Sequence, residues 1–116
     1  MGRVVALMDD LFFQMKLAET AKHLGVEVKV ATSGEALMGL MESAPKLVIV
    51  DLNSRSQPLQ AIELLRKAGN GVRVVGFLSH VQTELAEHAQ AAGCDEVLPR
   101  SIFTQNLAVI LSVAKD

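Results

Sequence analysis

Apolar and polar residues alternate with two different periods along the chain, and the changes of period divide it into strands and helices. Short apolar or alternating runs are typical of strands, whereas apolar residues three or four positions apart are typical of helices. Residues 47–50 are the most continuous apolar run, and the helical stripe is clearest at Phe13, Leu17 and Ala21. The predicted strands cover residues 3–8, 26–31, 47–50, 72–78 and 95–99, and the predicted helices cover residues 11–24, 34–44, 58–68, 81–92 and 102–114.

Strands that alternate with helices along the whole chain predict a parallel sheet covered by helices on both faces. Five such units are too few for an eight-stranded barrel, so the sheet should be open. We therefore expect a flavodoxin-like, doubly wound (βα)5 fold of the α/β class, with a five-stranded parallel sheet in the order 2-1-3-4-5. Its switch point lies between the first and third strands, and ligands of such folds bind outside the carboxyl ends of the strands.

Composition narrows the class of protein. The 116 residues suffice for one domain with a real core and are too few for two. The net charge of −2 and the absence of a basic run argue against nucleic-acid binding. The single cysteine, Cys94, excludes a disulfide framework, and the N-terminal apolar stretch is too short for a signal peptide or a membrane span. We expect a cytoplasmic domain that does not contact membranes.

Acidic residues follow the two strands that should be neighbours at the switch point. Asp51 directly follows residues 47–50, and Asp9 and Asp10 follow the first strand. Three carboxylates that converge on one crevice repel each other unless a cation neutralises them, and Mg²⁺ suits such oxygen ligands. Asp10 also directly precedes the first helix, so its carboxylate could serve as an N-cap instead.

A hydroxyl and a cation follow the next two strands. Ser79 comes after the fourth strand and Arg100 after the fifth, so both should lie beside Asp51 at the same edge of the sheet. A phosphoryl group on Asp51 would then accept a hydrogen bond from Ser79 and pair with Arg100, while Mg²⁺ neutralised its oxygens.

This pattern resembles the receiver domain of two-component response regulators, and the resemblance covers the whole chain. It rests on the acid pair Asp9–Asp10, on Asp51 in "VIVDLN", on Ser79, and on "LPRS", residues 98–101, where the family usually has a Lys-Pro pair.

The resemblance implies a stand-alone, CheY-like receiver domain over residues 1–116 with no effector domain. Asp51 would be the phosphoacceptor, assisted by Ser79 and Arg100. The backbone carbonyl of Asn53 would join Asp9, Asp10 and Asp51 as a ligand of Mg²⁺. A histidine kinase or phosphotransfer protein would supply the phosphoryl group, and output would come from binding a downstream protein. We do not expect an enzyme.

The sequence departs from the family's pattern in the loop after Asp51, where "SRSQPLQA" replaces the usual Met-Pro…Asp-Gly loop, and at three single positions. Arg100 stands where receivers have lysine, Ser101 where they have proline, and Val97 where they often carry the aromatic residue that rotates on activation. An arginine is planar and larger than a lysine, so the exchange is not conservative at a tight site. An alternative is therefore a pseudo-receiver that binds partners without phosphorylation. A flavodoxin-like small-molecule binder is a third alternative.

The last predicted helix is apolar on more than one face. Residues 107–114 read "LAVILSVA", with a single polar residue, Ser112. A surface helix needs only one apolar stripe, so the additional apolar face should be covered. In receivers the face made by the fourth helix, fifth strand and fifth helix pairs two copies or docks a target. We therefore expect homodimerisation or partner binding through the last helix.

Overall fold

Five parallel strands form one sheet in the order β2-β1-β3-β4-β5, as the sequence predicts. The structure is a computed structural model, and it describes residues 3–79 and 82–115. The strands are β1 (Arg3–Leu7), β2 (Glu27–Ala31), β3 (Leu47–Asp51), β4 (Arg73–Leu78) and β5 (Glu96–Pro99). The helices are α1 (Leu11–Leu24), α2 (Gly34–Leu40), α3 (Pro58–Lys67), α4 (Thr83–Ala92), α5 (Arg100–Gln105) and α6 (Leu107–Ser112), and a 3₁₀ turn covers Met41–Ser43.

The strands, α1 and α3 differ from the predicted bounds by no more than one residue at either end. The local signals explain this agreement. Asp10 caps α1, since its Oδ1 accepts the N–H of Phe13 at 3.1 Å, and Gly25 ends the helix in the left-handed conformation. The N-cap role predicted as an alternative for Asp10 is thus confirmed. The predicted start of α4 at Val81 lies outside the described residues.

The prediction that the second helix runs from 34 to 44 was wrong. The α-helix ends at Leu40, a 3₁₀ turn follows, and Ala44 adopts a left-handed conformation with φ of 50°. Pro45 disfavours the helical conformation for the residue before it, so the chain must leave the helix before the proline.

The prediction of one last helix over residues 102–114 was also wrong. The helix begins at Arg100, directly after β5, and is interrupted at Asn106. The side-chain Nδ2 of Asn106 donates to the carbonyl of Ile102 at 2.9 Å, a bond that competes with the helical pattern. The early start matters, because it places Arg100 at the first turn of α5 beside the end of β5.

Two helical layers cover the sheet. Helices α1, α5 and α6 pack on one face, and α2, α3 and α4 pack on the other. All five residues of β3 are buried, because this strand lies in the middle of the sheet with both faces covered. Asp51 is the register partner of Phe77 in β4, so the carboxyl ends of β1, β3 and β4 meet at one edge.

Candidate functional site

Asp51 is the last residue of β3, and its carboxylate is the only buried charged group among the described residues, with 4% of its surface exposed. Its Oδ1 accepts the N–H of Asn53 at 3.0 Å. Burial raises the pKa of Asp51 above its ordinary value, because the charged form loses hydration. The Asn53 N–H and the Arg100 cation oppose this shift of the pKa, and the nearby Asp9 and Asp10 add to it. The fold therefore buries a carboxylate that needs a positive partner.

Arg100 supplies that partner. Its Nη2 lies 3.6 Å from Oδ2 of Asp51, and its Nη1 lies 3.5 Å from Oδ2 of Asp10. One guanidinium thus connects the acid at the end of β3 with the N-cap acid of α1. A lysine has a single ammonium on a flexible chain, whereas the planar fork of an arginine can face two carboxylates at once.

The guanidinium of Arg100 also lies over two aromatic rings. Its central carbon lies 4.9 Å from the centre of the Phe13 ring and 5.2 Å from that of Phe77. Phe77 also stacks on Phe103, with ring centres 4.6 Å apart. A cation over aromatic faces gains about 1 kcal/mol even when partly exposed. Arg100 is therefore positioned by α1, β4 and α5 together.

Asp9 points to a different arginine. Its Oδ2 accepts the backbone N–H of Arg55 at 3.2 Å and lies 3.6 Å from the Nε of the same residue. Arg55 belongs to the loop after β3, and its side chain is almost fully exposed. This pair fixes the loop beside the site, and the short polar run around Arg55 gives no pattern from which it could be predicted.

These contacts decide whether the predicted magnesium ligands fit a metal ion. Asp9, Asp10 and Asp51 all belong to the described residues. Among these residues, however, no three His, Cys, Asp or Glu side chains are arranged so that they could hold a metal ion. Each of the three carboxylates faces an arginine instead. The residues therefore do not fit the predicted Mg²⁺ site in this arrangement, and magnesium binding stays a prediction.

Asn53, whose carbonyl was predicted as a metal ligand, acts through its side chain. Its Oδ1 accepts the backbone N–H of Ser79 at 2.6 Å, and its Nδ2 donates to Oε1 of Gln82 at 2.8 Å. Ser79 lies at the carboxyl end of β4, as predicted, two residues after Phe77. The Asn53 amide thus joins the loop after β3 to the start of α4, a role that nothing in the local sequence indicates.

A small cleft lies beside Val97, the position where receivers often carry an aromatic residue. It has a volume of about 210 Å³ and is lined mainly by apolar side chains, including Leu78, Ala86, Val97 and Pro99. A valine is too short to rotate between a buried and an exposed position in the way that a ring does.

Comparison with known proteins supports the fold. No protein-family model matches the sequence, and no curated protein matches it. Among solved structures, the receiver domain of a Francisella response regulator matches with a TM-score of 0.83 at 16% identity, covering 98% of this chain and 96% of its own. The chain has the receiver-domain fold.

Two further receiver structures agree. A response-regulator receiver domain from Clostridium thermocellum has a TM-score of 0.81 at 17% identity and covers 98% of this chain and 94% of its own. A CheY-like receiver domain protein from Methanospirillum hungatei has a TM-score of 0.81 at 17% identity, over 95% and 90% of the two chains. Identities this low establish a shared fold and not a shared activity.

No helix within residues 3–79 and 82–115 is both long enough and apolar enough to cross a membrane.

Proposed function

We propose that this chain is a receiver-like signalling domain that acts by binding another protein, and that it does so without phosphorylation of Asp51. The observation that carries this proposal is the position of Arg100, whose guanidinium lies between the carboxylates of Asp10 and Asp51. In the predicted phosphoacceptor site Mg²⁺ and Arg100 together would supply the positive charge. Here Arg100 pairs with two of the predicted metal ligands, Asp10 and Asp51, and supplies the positive charge beside them.

Moving Arg100 away from Asp51 would cost free energy, because other groups also hold the guanidinium in place. A phosphodonor would have to reach a carboxylate that is 4% exposed, and Arg100 would have to turn away from Asp51 to let it pass. That movement would also separate the guanidinium from the rings of Phe13 and Phe77. The contacts of Arg100 with Asp51, Phe13 and Phe77 would be lost before any new contact formed.

We also expect phosphorylation of Asp51 to change the conformation of the domain only slightly. A ligand shifts an equilibrium between two conformations only by its differential affinity for them. Val97 offers no ring whose two positions could distinguish the conformations, and Arg100 already pairs with Asp51 in the unmodified protein. A phosphoryl group would therefore change few of the contacts around α4 and β5.

Heteronuclear NMR tests the proposal, with beryllofluoride and Mg²⁺ as the phosphoryl mimic. We expect the amide resonances of α4 and β5 in the wild type to stay within the shifts that Mg²⁺ alone produces. The matched control is Arg100→Lys, which keeps the charge but cannot bridge both acids. Large shifts across residues 82–99 of the wild type would contradict the proposal.

A second candidate function is that of a phosphoacceptor in a two-component phosphorelay. Its support is the placement of Asp51, Ser79 and Arg100 at the carboxyl ends of β3, β4 and β5. In that case Mg²⁺ would neutralise the phosphoryl oxygens, a histidine kinase or phosphotransfer protein would be the donor, and the domain would work in the cytoplasm. Intact-mass spectrometry after treatment with acetyl phosphate and Mg²⁺ tests it. Gain of one phosphoryl group in the wild type, and none in Asp51→Asn, would favour this candidate.

A further inference from the structure

A cavity of about 330 Å³ lies between the start of α2 and the start of α3. Its lining residues follow β2 on one side and β3 on the other, so it opens at the edge of the sheet where these strands end. In open, doubly wound sheets this edge is where ligands bind. The volume of the cavity lies within the range of roughly 300–1,000 Å³ that is typical of small-molecule sites.

Hydrogen-bonding side chains line most of this cavity. Hydroxyl groups come from the loops after β2 and β3, and carboxamides come from the residues around the start of α3; these side chains are Thr32, Ser33, Ser56, Gln57 and Gln60. The hydroxyl of Ser33 accepts the N–H of Ala36 at 3.0 Å, so its own proton is available to a ligand. Within residues 3–79 and 82–115 the side chains of Thr32, Gln57 and Gln60 form no hydrogen bond. The cavity therefore offers several donors and acceptors to a polar ligand.

An apolar wall completes the cavity on the side of α3. Ala61 is buried, and Leu64, about one turn further along the helix, is 49% exposed. Helix α2 approaches this wall closely, since a Cβ on Gly34 would lie 3.4 Å from the Cβ of Ala61 and 3.8 Å from Cδ1 of Leu64. A short aliphatic group of a ligand could cover the exposed surface of Leu64 and so remove it from water.

One cation and one anion also line the cavity. The Nε of Arg55 lies 3.6 Å from Asp9, and its two Nη atoms form no ion pair with any described residue. Glu35, in the first turn of α2, forms no ion pair in the described part of the chain, with Arg55 or with another residue. The cavity thus carries one positive and one negative group that are not joined to each other.

These two charges select the class of ligand. A simple anion would pair with Arg55 but would lie near the like charge of Glu35, and a simple cation would meet the reverse situation. A zwitterion satisfies both groups, because its carboxylate can pair with Arg55 while its ammonium pairs with Glu35. We propose that the cavity binds a small zwitterion of the α-amino acid class, whose aliphatic side chain lies against Leu64.

Such a ligand would also act on the loop after β3. The backbone N–H of Arg55 donates to Oδ2 of Asp9 at 3.2 Å, so Arg55 joins the cavity to the candidate functional site. A ligand that draws the guanidinium toward the cavity weakens its contact with Asp9. The proposal depends neither on phosphorylation of Asp51 nor on the protein that the domain binds, so it and the proposed function can fail independently.

NMR titration of the wild type with L-leucine tests the proposal. We expect saturable shifts of the amide resonances of residues 32–35 and 55–61, with a dissociation constant on the order of 1 mM. Two probes with the same carbon skeleton each lack one charge: 4-methylpentanoate lacks the ammonium, and 3-methylbutylamine lacks the carboxylate. Each should bind at least tenfold more weakly than L-leucine.

Variants of the two charged residues assign the binding to this cavity. Arg55→Met and Glu35→Gln change exposed side chains, so the fold should be kept, and each should weaken the binding of L-leucine at least tenfold. The matched controls are Arg73→Met, in an exposed arginine of β4, and Glu84→Gln, in the first turn of α4. Both should bind L-leucine like the wild type.

Three results would overturn the proposal. The first is the absence of saturable shifts in the wild type up to about 50 mM L-leucine. The second is binding of 4-methylpentanoate as tight as that of L-leucine, which would make the cavity a site for anions. The third is an equal loss of binding in Arg55→Met and Arg73→Met, which would place the ligand elsewhere.

Discussion

The guanidinium of Arg100 lies 3.6 Å from the carboxylate of Asp51, and it reaches this position from the first turn of α5. The contact is made possible by a helix that begins two residues earlier than its apolar pattern indicates. It places a positive side chain beside the most buried acid among the described residues. Because this cation is part of the protein, it does not depend on metal concentration.

If Arg100 takes the place of a metal ion, Mg²⁺ should not change the melting temperature of the wild type. It should change that of a variant without the guanidinium. Arg100→Met keeps much of the side-chain volume but leaves Asp10 and Asp51 without their cation, and we expect it to lower the free energy of unfolding by about 2 kcal/mol. Adding Mg²⁺ should raise the melting temperature of this variant, because ligands that bind the folded state stabilise it. Calorimetry with Mg²⁺ or EDTA measures both effects.

The wild type is the control for that experiment. Its melting temperature should be the same with Mg²⁺ and with EDTA. An increase on adding Mg²⁺ that is as large in the wild type as in Arg100→Met would show that the arginine does not take the place of the metal ion.

The buried carboxylate itself should reduce stability at neutral pH. Because the pKa of Asp51 is raised in the folded state, the folded protein binds more protons than the unfolded chain above about pH 4. The carboxyl of Asp51 therefore contributes favourably to the free energy of unfolding at low pH, and this contribution is lost as the pH rises through the folded-state pKa. Asp51→Asn cannot ionise, so we expect it to be more stable than the wild type at pH 7. Urea unfolding from pH 4 to pH 7 measures the difference.

That difference should shrink as the pH falls toward 4, since a growing fraction of the wild-type carboxyl is then protonated. Asp9→Asn is a suitable comparison, because Asp9 is exposed and pairs with the exposed side chain of Arg55. A stability advantage of Asp51→Asn that grew toward low pH would contradict the sign of the pKa shift.

The fold could be predicted from the sequence because its signals are local. Buried strands such as residues 47–50 are continuous apolar runs, and the caps of α1 at Asp10 and Gly25 lie directly beside the helix that they end. Parallel pairing then brings the strand ends to one edge, which is why Asp51, Ser79 and Arg100 were correctly expected there. The local pattern failed at the end of α2, where the chain leaves the helix before Pro45, and at Asn106, whose side chain competes with the backbone between α5 and α6.

The partners of the site residues could not be predicted in the same way. Which cation faces Asp51 depends on the direction in which Arg100 leaves α5 and on three rings that come from α1, β4 and α5. The contact of Asp9 with Arg55 joins residues 46 positions apart, and no periodic pattern encodes it. Helices and strands are determined mainly by residues that are close in sequence. Ion pairs depend on distances between residues that only the folded chain brings together.

A second arginine, Arg66, is expected to matter for stability and not for the site. Its guanidinium donates to the carbonyls of Asn70, Val72 and Gly93 and pairs with Asp95 at 3.0 Å. Arg66→Ala leaves these partly buried carbonyls without a donor, and we expect a loss of about 3 kcal/mol in the free energy of unfolding. Chemical denaturation measures it.

Arg73→Ala is the control for Arg66→Ala. Arg73 pairs with Glu96 at 3.7 Å, but both side chains are largely exposed, so its removal should cost less than about 1 kcal/mol. Equal losses in the two variants would mean that the carbonyl contacts of Arg66 contribute little.

The side chain of Asn53 should control how firmly the loop after β3 is held against the end of β4. Its Oδ1 accepts the N–H of Ser79, so Asn53→Ala leaves that amide without its partner and should speed its exchange with deuterium at least tenfold, equivalent to about 1.4 kcal/mol of local protection. Gln82→Ala removes only the contact with Nδ2 and leaves the bond to Ser79 in place, so exchange at Ser79 should change little. NMR-detected exchange resolves the two amides. If both variants exchanged alike, the loop would be held by the contact with α4, and the bond between Asn53 and Ser79 would be a consequence of that contact and not its cause.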